Sequence, residues 1–365
     1  MKLFEIINQW ANRYFSQPDA VYLVAMVFIG VVLLMAFGGA LAPVLMGLVI
    51  AFLLQGLVGA LEHWRVPKTV AVYGAFLLFL GSVLALILLV VPLLWQQLQS
   101  FLQVLPSLAQ RLQEGVNNLA ERFPEYVTQE QITALLEQGS REMANVGGAV
   151  IETAFSQVFS LLGLVLYLVF VPITVFFFLK DKDQLVNTVR DLLPTERPML
   201  SAVGAEMNTQ LGNYVRGKAL EILIVGFVTF AAFLILGLNY AALLSVVVGF
   251  SVLIPFVGAA VVTLPVFAVA VLQFGWSTDF AIVIAVYGIL QFLDGNVLVP
   301  LLFSEANDLH PVAIIIAILA FGSLWGIWGV FFAIPLATLI KAIFNAWPRS
   351  LVATANQQLN ENQEL

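Results

Sequence analysis

The sequence has no cysteine and little charge. Without a thiol anywhere in its 365 residues the chain forms no disulfide and offers no thiolate to a metal, an absence that says nothing of redox compartment. Charged residues make up 10% of it, where soluble globular domains carry about 25%. A net charge of −7 excludes a broadly basic nucleic-acid surface. Histidine is scarce: there are two, His63 and His310, and neither HExxH nor GxSxG occurs, because Gly249-Phe250-Ser251-Val252-Leu253 lacks the second glycine. The chain is therefore expected not to be an enzyme and to hold no metal or other cofactor, with a Ser251–His310 dyad the one arrangement left open. A nucleotide loop is missing too. Gly212-Asn-Tyr-Val-Arg-Gly217-Lys218-Ala219 approaches GxxxxGK[ST], but Ala219 has no hydroxyl for magnesium and the stretch reads as a helix end, not a strand-to-helix turn. Transport driven by ATP within this chain is not expected.

What the chain has in quantity is apolar residues, 61% of the total, with a mean hydropathy of +0.99. The runs are continuous and long, unlike the roughly ten-residue alternating segments of a membrane β-barrel. The expected fold is all-α: a polytopic membrane protein of about eight transmembrane helices. The N-terminus, residues 1–20, is polar and amphipathic, and no small-residue cleavage site follows the first apolar run, so it reads as retained.

The first apolar block, Val21 to Leu61, is about twice the length that a roughly 30 Å hydrocarbon core requires, which predicts two helices turning at Gly38-Gly39. A polar loop, Glu62 to Lys68, leads to a third span, Val70 to Leu94. From Trp95 the pattern changes. Leu98, Leu102, Leu105, Leu108, Leu112 and Val116 recur at threes and fours among polar residues, predicting an amphipathic helix outside the membrane that Pro124 ends. A capping box at Thr128–Gln131 starts a second helix, so residues 95–150 read as a periplasmic helical module.

Ile151 to Leu179 is a fourth span, closed by Lys180-Asp-Lys-Asp183. Thr195-Glu-Arg-Pro198 marks a helix start, and Leu200, Val203, Met207, Leu211 and Val215 give that helix one apolar face, expected to lie along the membrane surface and to run into the fifth span, Ala219 to Leu238. Tyr240 to Leu272 contains Pro255, Gly258 and Pro265 and is too long for one crossing, so it reads as broken or re-entrant; Phe280 to Pro311 reads as a broken seventh segment. Val312 to Ala346 is the last span and Pro348 to Leu365 a polar tail. The domains are thus 1–94, 95–150, 151–218, the core 219–346 and 347–365.

On eight spans, Lys2, Arg13, Arg65, Lys68, Lys180, Lys182, Arg190, Arg197, Arg216, Lys218, Lys341 and Arg349 fall on one side and Arg111, Arg122 and Arg141 on the other, which predicts cytoplasmic N- and C-termini.

Polar residues inside the apolar runs are the candidate path for a small-molecule or ion substrate. Asp294 lies about 21 Å along the helix from Phe280, and an acid at that depth is functional by default. Asn296 and the carbonyls freed before Pro300 complete the site, and Pro255 and Gly258 form a facing break, as in the discontinuous helices of transporters. The alternative is that Asp294 and Asn296 satisfy each other or a neighbouring helix. Glu221 is a second acid, for which an ion pair with Lys218 or Arg216 is at least as good a reading; His310 closes the segment. Gly322, Gly326, Gly329 and Ala333 form a small-residue face for helix packing.

Arg216-Gly217, Ile254-Pro255-Phe256-Val257-Gly258, Asp294-Gly-Asn296-Val-Leu-Val-Pro300, Leu309-His310-Pro311 and Gly326-Ile-Trp-Gly329-Val-Phe-Phe-Ala333-Ile-Pro335 together resemble the autoinducer-2 exporter family of bacterial inner-membrane proteins, in wording closest to its PerM-type permeases. Many relatives carry Glu where this chain has Asp294. The resemblance implies export of small molecules, with members linked to the furanone signal autoinducer-2 and others to sodium or lithium exchange for protons. It also implies homo-oligomers, pentamers among them. Two other readings stand beside export: a monovalent cation/proton antiporter, and a non-transporting oligomeric scaffold docking through residues 95–148.

Overall fold

A computed structural model describes residues 18–104, 161–195, 197–255, 257–303 and 309–346, and every regular element among them is helical. In chain order these are α1 (Pro18–His63), α2 (Lys68–Val104), α3 (Leu161–Lys180), α4 (Lys182–Asp191), α5 (Pro198–Ile235), α6 (Ala241–Ser251), α7 (Val257–Phe274), α8 (Thr278–Phe303), α9 (Pro311–Gly326) and α10 (Trp328–Ala346). Six of the helices in the described residues, α1, α2, α5, α7, α8 and α10, are long and apolar enough to cross a membrane; α6 and α9 are shorter apolar helices, as is the Val165–Lys180 part of α3. Most of the expected extramembrane module lies outside the described residues.

Of three expectations, the first and third are corrected. The first apolar block does not turn at Gly38-Gly39 but is one helix of 46 residues, about 69 Å long. A glycine in a helix costs only about 1 kcal/mol relative to alanine, too little to interrupt a long run of good helix formers. Gly38 is used for close approach instead, since a Cβ there would fall on the Trp325 indole. The charge count that put both ends of this block on one side rested on a turn the helix does not make. Second, α5 is continuous through Val215 and, as expected, runs into the fifth span, 38 residues in all. Its early apolar face is covered by protein: Leu200 and Val203 pack with Leu23 and Ala342, and Met207 and Leu339 lie against them.

The third concerns the last span, which is two helices. At Gly326 the backbone takes φ 60° and ψ −138°, outside the helical region. The chain folds back there, because Phe321 and Ile318 of α9 pack with Val330 and Ala333 of α10, and Ile314 with Ala337. A Cβ on Gly329 would strike the Phe321 carbonyl. The small-residue face thus closes on its own two halves, with Gly326 as the turn.

The described residues fall into two compact units, one built from α1 up to Leu45, α4, α5 up to Val215, α9 and α10, the other from the remainder. In the second unit the main core joins Val225 and Phe233 of α5, Leu244 and Val248 of α6, Val262, Val266 and Val269 of α7, and Val283 and Tyr287 of α8. There α6 and α7 make an antiparallel hairpin. At its tip Gly258 lies against the Ser251 carbonyl, with no room for a Cβ. At its open end the Gln273 amide nitrogen donates to the Gly237 carbonyl and its oxygen accepts from Asn239 N–H, both at 2.7 Å. The segment from Tyr240 is therefore broken, as its prolines and glycine suggested, and α6 at 11 residues is about 16 Å long. The late part of α2 docks on this open end, where Gln97 Oε1 accepts from Leu243 N–H at 2.9 Å and Phe101 packs on Tyr240.

Gly326→Ala is expected to lower the thermal unfolding midpoint of the purified protein in detergent, because the strained conformation costs a side chain on the order of 1–3 kcal/mol while nothing lies near enough to clash. Gly39→Ala, helical and uncrowded, is expected to leave the midpoint level or raise it. The opposite ranking of the two variants would contradict both the turn at Gly326 and the unbroken α1.

Candidate functional site

The polar centre of the second unit begins on α5, where Lys218 and Glu221 stand one turn apart. Lys218 Nζ lies 2.7 Å from Glu221 Oε2, and the two side chains are 7% and 2% exposed. An ion pair withdrawn from water to this degree carries a desolvation cost of several kcal/mol per ion, which only close contact and further hydrogen bonds offset. Lys218 makes them. Its ammonium donates to the Val252 carbonyl at 2.8 Å and sits 5.2 Å from the centre of the Phe303 ring. Val252 caps the end of α6, where carbonyls lack intrahelical donors and the helix dipole favours a cation. A cation over an aromatic face adds attraction.

The neighbours of Lys218 explain its placement. Gly217 lets the Phe303 ring rest on the α5 backbone, since a Cβ there would come within 2.6 Å of the ring. Farther along, a Cβ on Gly249 would approach the Gly226 Cα to 3.0 Å, so α5 and α6 cross with their backbones close. Arg216 is held apart from the pair, its guanidinium 5.5 Å from the Phe52 ring. The Gly212–Ala219 stretch is helix interior throughout, with no loop to cradle a phosphate.

Asp294 joins this group from α8. It opens a π-helical turn, Asp294–Leu298, in which Val299 N–H bonds back to the Asp294 carbonyl. Asp294 Oδ1 is buried with no hydrogen-bond partner among the described residues. Its carboxylate is within electrostatic range of Lys218 and of Glu221. Behind Asp294 the polar side chains continue along one face of α8 at helical spacing: Gln291 donates to Tyr287 Oη at 3.2 Å, and that hydroxyl is 3.1 Å from Thr263 Oγ1 of α7.

The remaining residues expected at the site are placed differently. The break expected at Pro300 is absent, since α8 passes through it to Phe303. Proline has no N–H to give and clashes with a regular preceding turn. Here the preceding turn is wide, a π turn having one residue more than an α turn, and it takes up the distortion without ending the helix. Asn296 is exposed and its amide donates to Phe292 O of its own helix at 2.9 Å. His310 is a helix cap, its Nδ1 accepting from Val312 N–H at 3.2 Å. Pro255 and Gly258 do form the hairpin tip, joined to Lys218 through Val252. Sequence reasoning named Lys218 as one of two partners for Glu221, and its spacing to Glu221 was the available signal. Nothing in the sequence marked Phe303 or the Val252 carbonyl.

Comparison with known proteins places the chain among transporters. The family described as AI-2E family transporter matches residues 22–349. The chain is 44% identical over 351 residues to the protein named as permease PerM of Escherichia coli (strain K12), covering 96% of this chain and 99% of that one. It is 28% identical over 325 residues to the transport protein YueF of Bacillus subtilis (strain 168), covering 88% and 87%. To the AI-2 transport protein TqsA of Escherichia coli (strain K12) it is 24% identical over 311 residues, covering 82% and 84%.

Removing Lys218 while Glu221 stays would strand a buried charge. Lys218→Met is expected to lose on the order of 3–5 kcal/mol of stability, and Lys218→Met/Glu221→Gln to recover most of that loss. Thermal midpoints of the two variants in the same detergent test this; equal midpoints would mean the pair is not buried as described.

Proposed function

The chain belongs to the AI-2E family of transporters, and from that premise we propose that it is an ATP-independent exporter of a small signalling-type metabolite in the inner membrane of a bacterium, with Asp294 as the responsive group of its path. It is a multi-pass membrane protein, and the family is one of transporters and permeases rather than enzymes. The observation that carries the reading is a set of ionisable side chains among apolar helices, the buried Lys218–Glu221 pair and the Asp294 carboxyl, whose Oδ1 is buried with no hydrogen-bond partner among the described residues. Charge at such depth is costly and marks substrate or ion pathways.

The geometry supports a transport role in two further ways. The group touches both helix irregularities of this unit, the α6–α7 tip through Val252 and the π turn through Asp294 itself. Irregular backbone at membrane depth is tolerated where it is buried in protein or lines a cavity. The polar face Tyr287–Gln291–Asp294 supplies hydroxyl, amide and carboxyl groups suited to a small hydroxylated substrate. The name of TqsA, an AI-2 transport protein, points to the same substrate class.

The test uses proteoliposomes loaded with autoinducer-2. Wild-type protein is expected to release it, and Asp294→Asn to slow release at least about tenfold, the effect of ~1.4 kcal/mol on a barrier. Sodium or lithium pulses are expected to leave an internal pH dye unchanged. Release by Asp294→Asn at the wild-type rate would remove Asp294 from the path, and a dye response without release would replace export by cation/proton exchange.

A further inference from the structure

The early apolar face of α5 is covered by protein, but that of α4 is open. No residue of α4 is buried. On a helix of 3.6 residues per turn Leu185, Val186 and Val189 share one side with Leu192, which follows the helix, and all four are exposed, Leu192 to 81%. Lys182 falls on that side at the first turn and Arg190 borders it at the last, while Asp183 and Asp191 lie farther round. At the end of α4 an open groove of about 510 Å³ is lined by α1 between Tyr22 and Ile29 and by Leu192, Leu193 and Pro194. Arg197 is fixed to the same stretch: its Nη1 donates to the Arg190, Leu193 and Pro194 carbonyls at 2.7, 3.3 and 3.1 Å. These bonds use Nη1, and the guanidinium carries further N–H groups on Nη2 and Nε.

We infer that α4 lies in the membrane interface and that the groove at its end holds an acyl chain of an acidic phospholipid, with Arg197 as the cation for the phosphate. Two features of the chain set this region at the membrane boundary. The α1 wall of the groove starts at Tyr22, one residue after the apolar run begins at Val21, and tyrosine suits the headgroup level. The apolar helix α3, whose Val169, Ile173 and Phe177 are exposed, gives way to charge at Lys180, and Asp181 alone separates it from α4. An amphipathic helix in that position sinks its apolar side among acyl chains and keeps its charges at the headgroups. Lys182, within the apolar side, reaches the headgroups along its own stem. Basic residues at this level attract anionic lipid, and a guanidinium can hold a phosphate through two parallel N–H groups. The groove's volume is that of a small-molecule cleft, about 300–1,000 Å³, and its apolar walls suit a hydrocarbon chain. The inference stands apart from the reading of Asp294.

The absence of native cysteine makes α4 directly readable. Val189→Cys and Asn187→Cys in the full-length protein are labelled with a nitroxide and reconstituted in vesicles of phosphatidylethanolamine and phosphatidylglycerol. Power saturation of the electron paramagnetic resonance signal is expected to show the label at 189 relaxed more by oxygen and the label at 187 more by a nickel chelate. Equal accessibility at the two positions would overturn the interfacial seat. For the groove, the full-length protein in detergent is exposed to equal amounts of phosphatidylglycerol and phosphatidylcholine, and the lipid it retains is read by native mass spectrometry. Wild-type protein is expected to retain phosphatidylglycerol preferentially, and Ala25→Trp, which fills the groove from α1, to weaken that retention at least about tenfold. Arg197→Gln is expected to abolish the preference and Arg197→Lys to keep it, because lysine retains the charge. Equal loss in both Arg197 variants, or equal retention of the two lipids by wild type, would overturn the acidic lipid. Retention unchanged by Ala25→Trp would overturn the groove as its seat and leave the groove to the chain's own residues 1–17.

Discussion

One buried ammonium organises the second unit. Lys218 is surrounded by a carboxylate, a helix-end carbonyl and an aromatic face, each from a different element. In an apolar setting such a charge is stable only when its partners are in contact, so α5, the α6 end and the α8 end are constrained to meet at one point. Gly217 serves the same requirement, because only a residue without Cβ allows Phe303 against the backbone beside Lys218. The second acid, Asp294, keeps this arrangement from being a closed electrostatic unit.

Around that point the uninterrupted α5 meets helix irregularities of its neighbours. The α6–α7 hairpin brings a helix terminus into the core, where its carbonyls need a donor. The α9–α10 hairpin does something different: its turn at Gly326 is exposed, and its two halves are sealed by Phe321, Ile318, Val330 and Ala333. A third device, the π turn of α8, lets the chain pass Pro300 without a break and carries Asp294 at its start. Each irregularity answers to a small residue or a proline, but the same residue types at Gly38, Gly39 and Pro43 produce none.

That contrast shows how far residues could be read in advance. The break near Pro255 and Gly258 was legible because a proline and a glycine fall within four residues of each other there, one removing a backbone donor and the other permitting a close turn. The helix start at Pro198 was legible from proline's fit to the first helical position. The turn at Gly326 was not, because a glycine in a small-residue stripe reads equally as packing surface, and only its neighbours' contacts distinguish the two. Within the site, Asp294 stood out by its depth and Glu221 by its proximity to Lys218. The amide of Asn296 has an acceptor in its own helix, the Phe292 carbonyl, which a neighbour-in-sequence argument overlooks.

Composition and run length alone determined that this chain is a helical membrane protein: too little charge for a soluble surface, and apolar stretches too continuous for a barrel. They also singled out Asp294, since the cost of an acid in an apolar run does not depend on what surrounds the run. Tertiary structure decided which residues share that cost. Lys218 and Asp294 lie far apart in the chain, and the Val252 carbonyl and Phe303 ring are groups that every protein has in number, so their meeting is a property of packing that no spacing records. It also decided where helices end, because a glycine or proline sets only a tendency to break, and neighbouring contacts determine whether the break occurs.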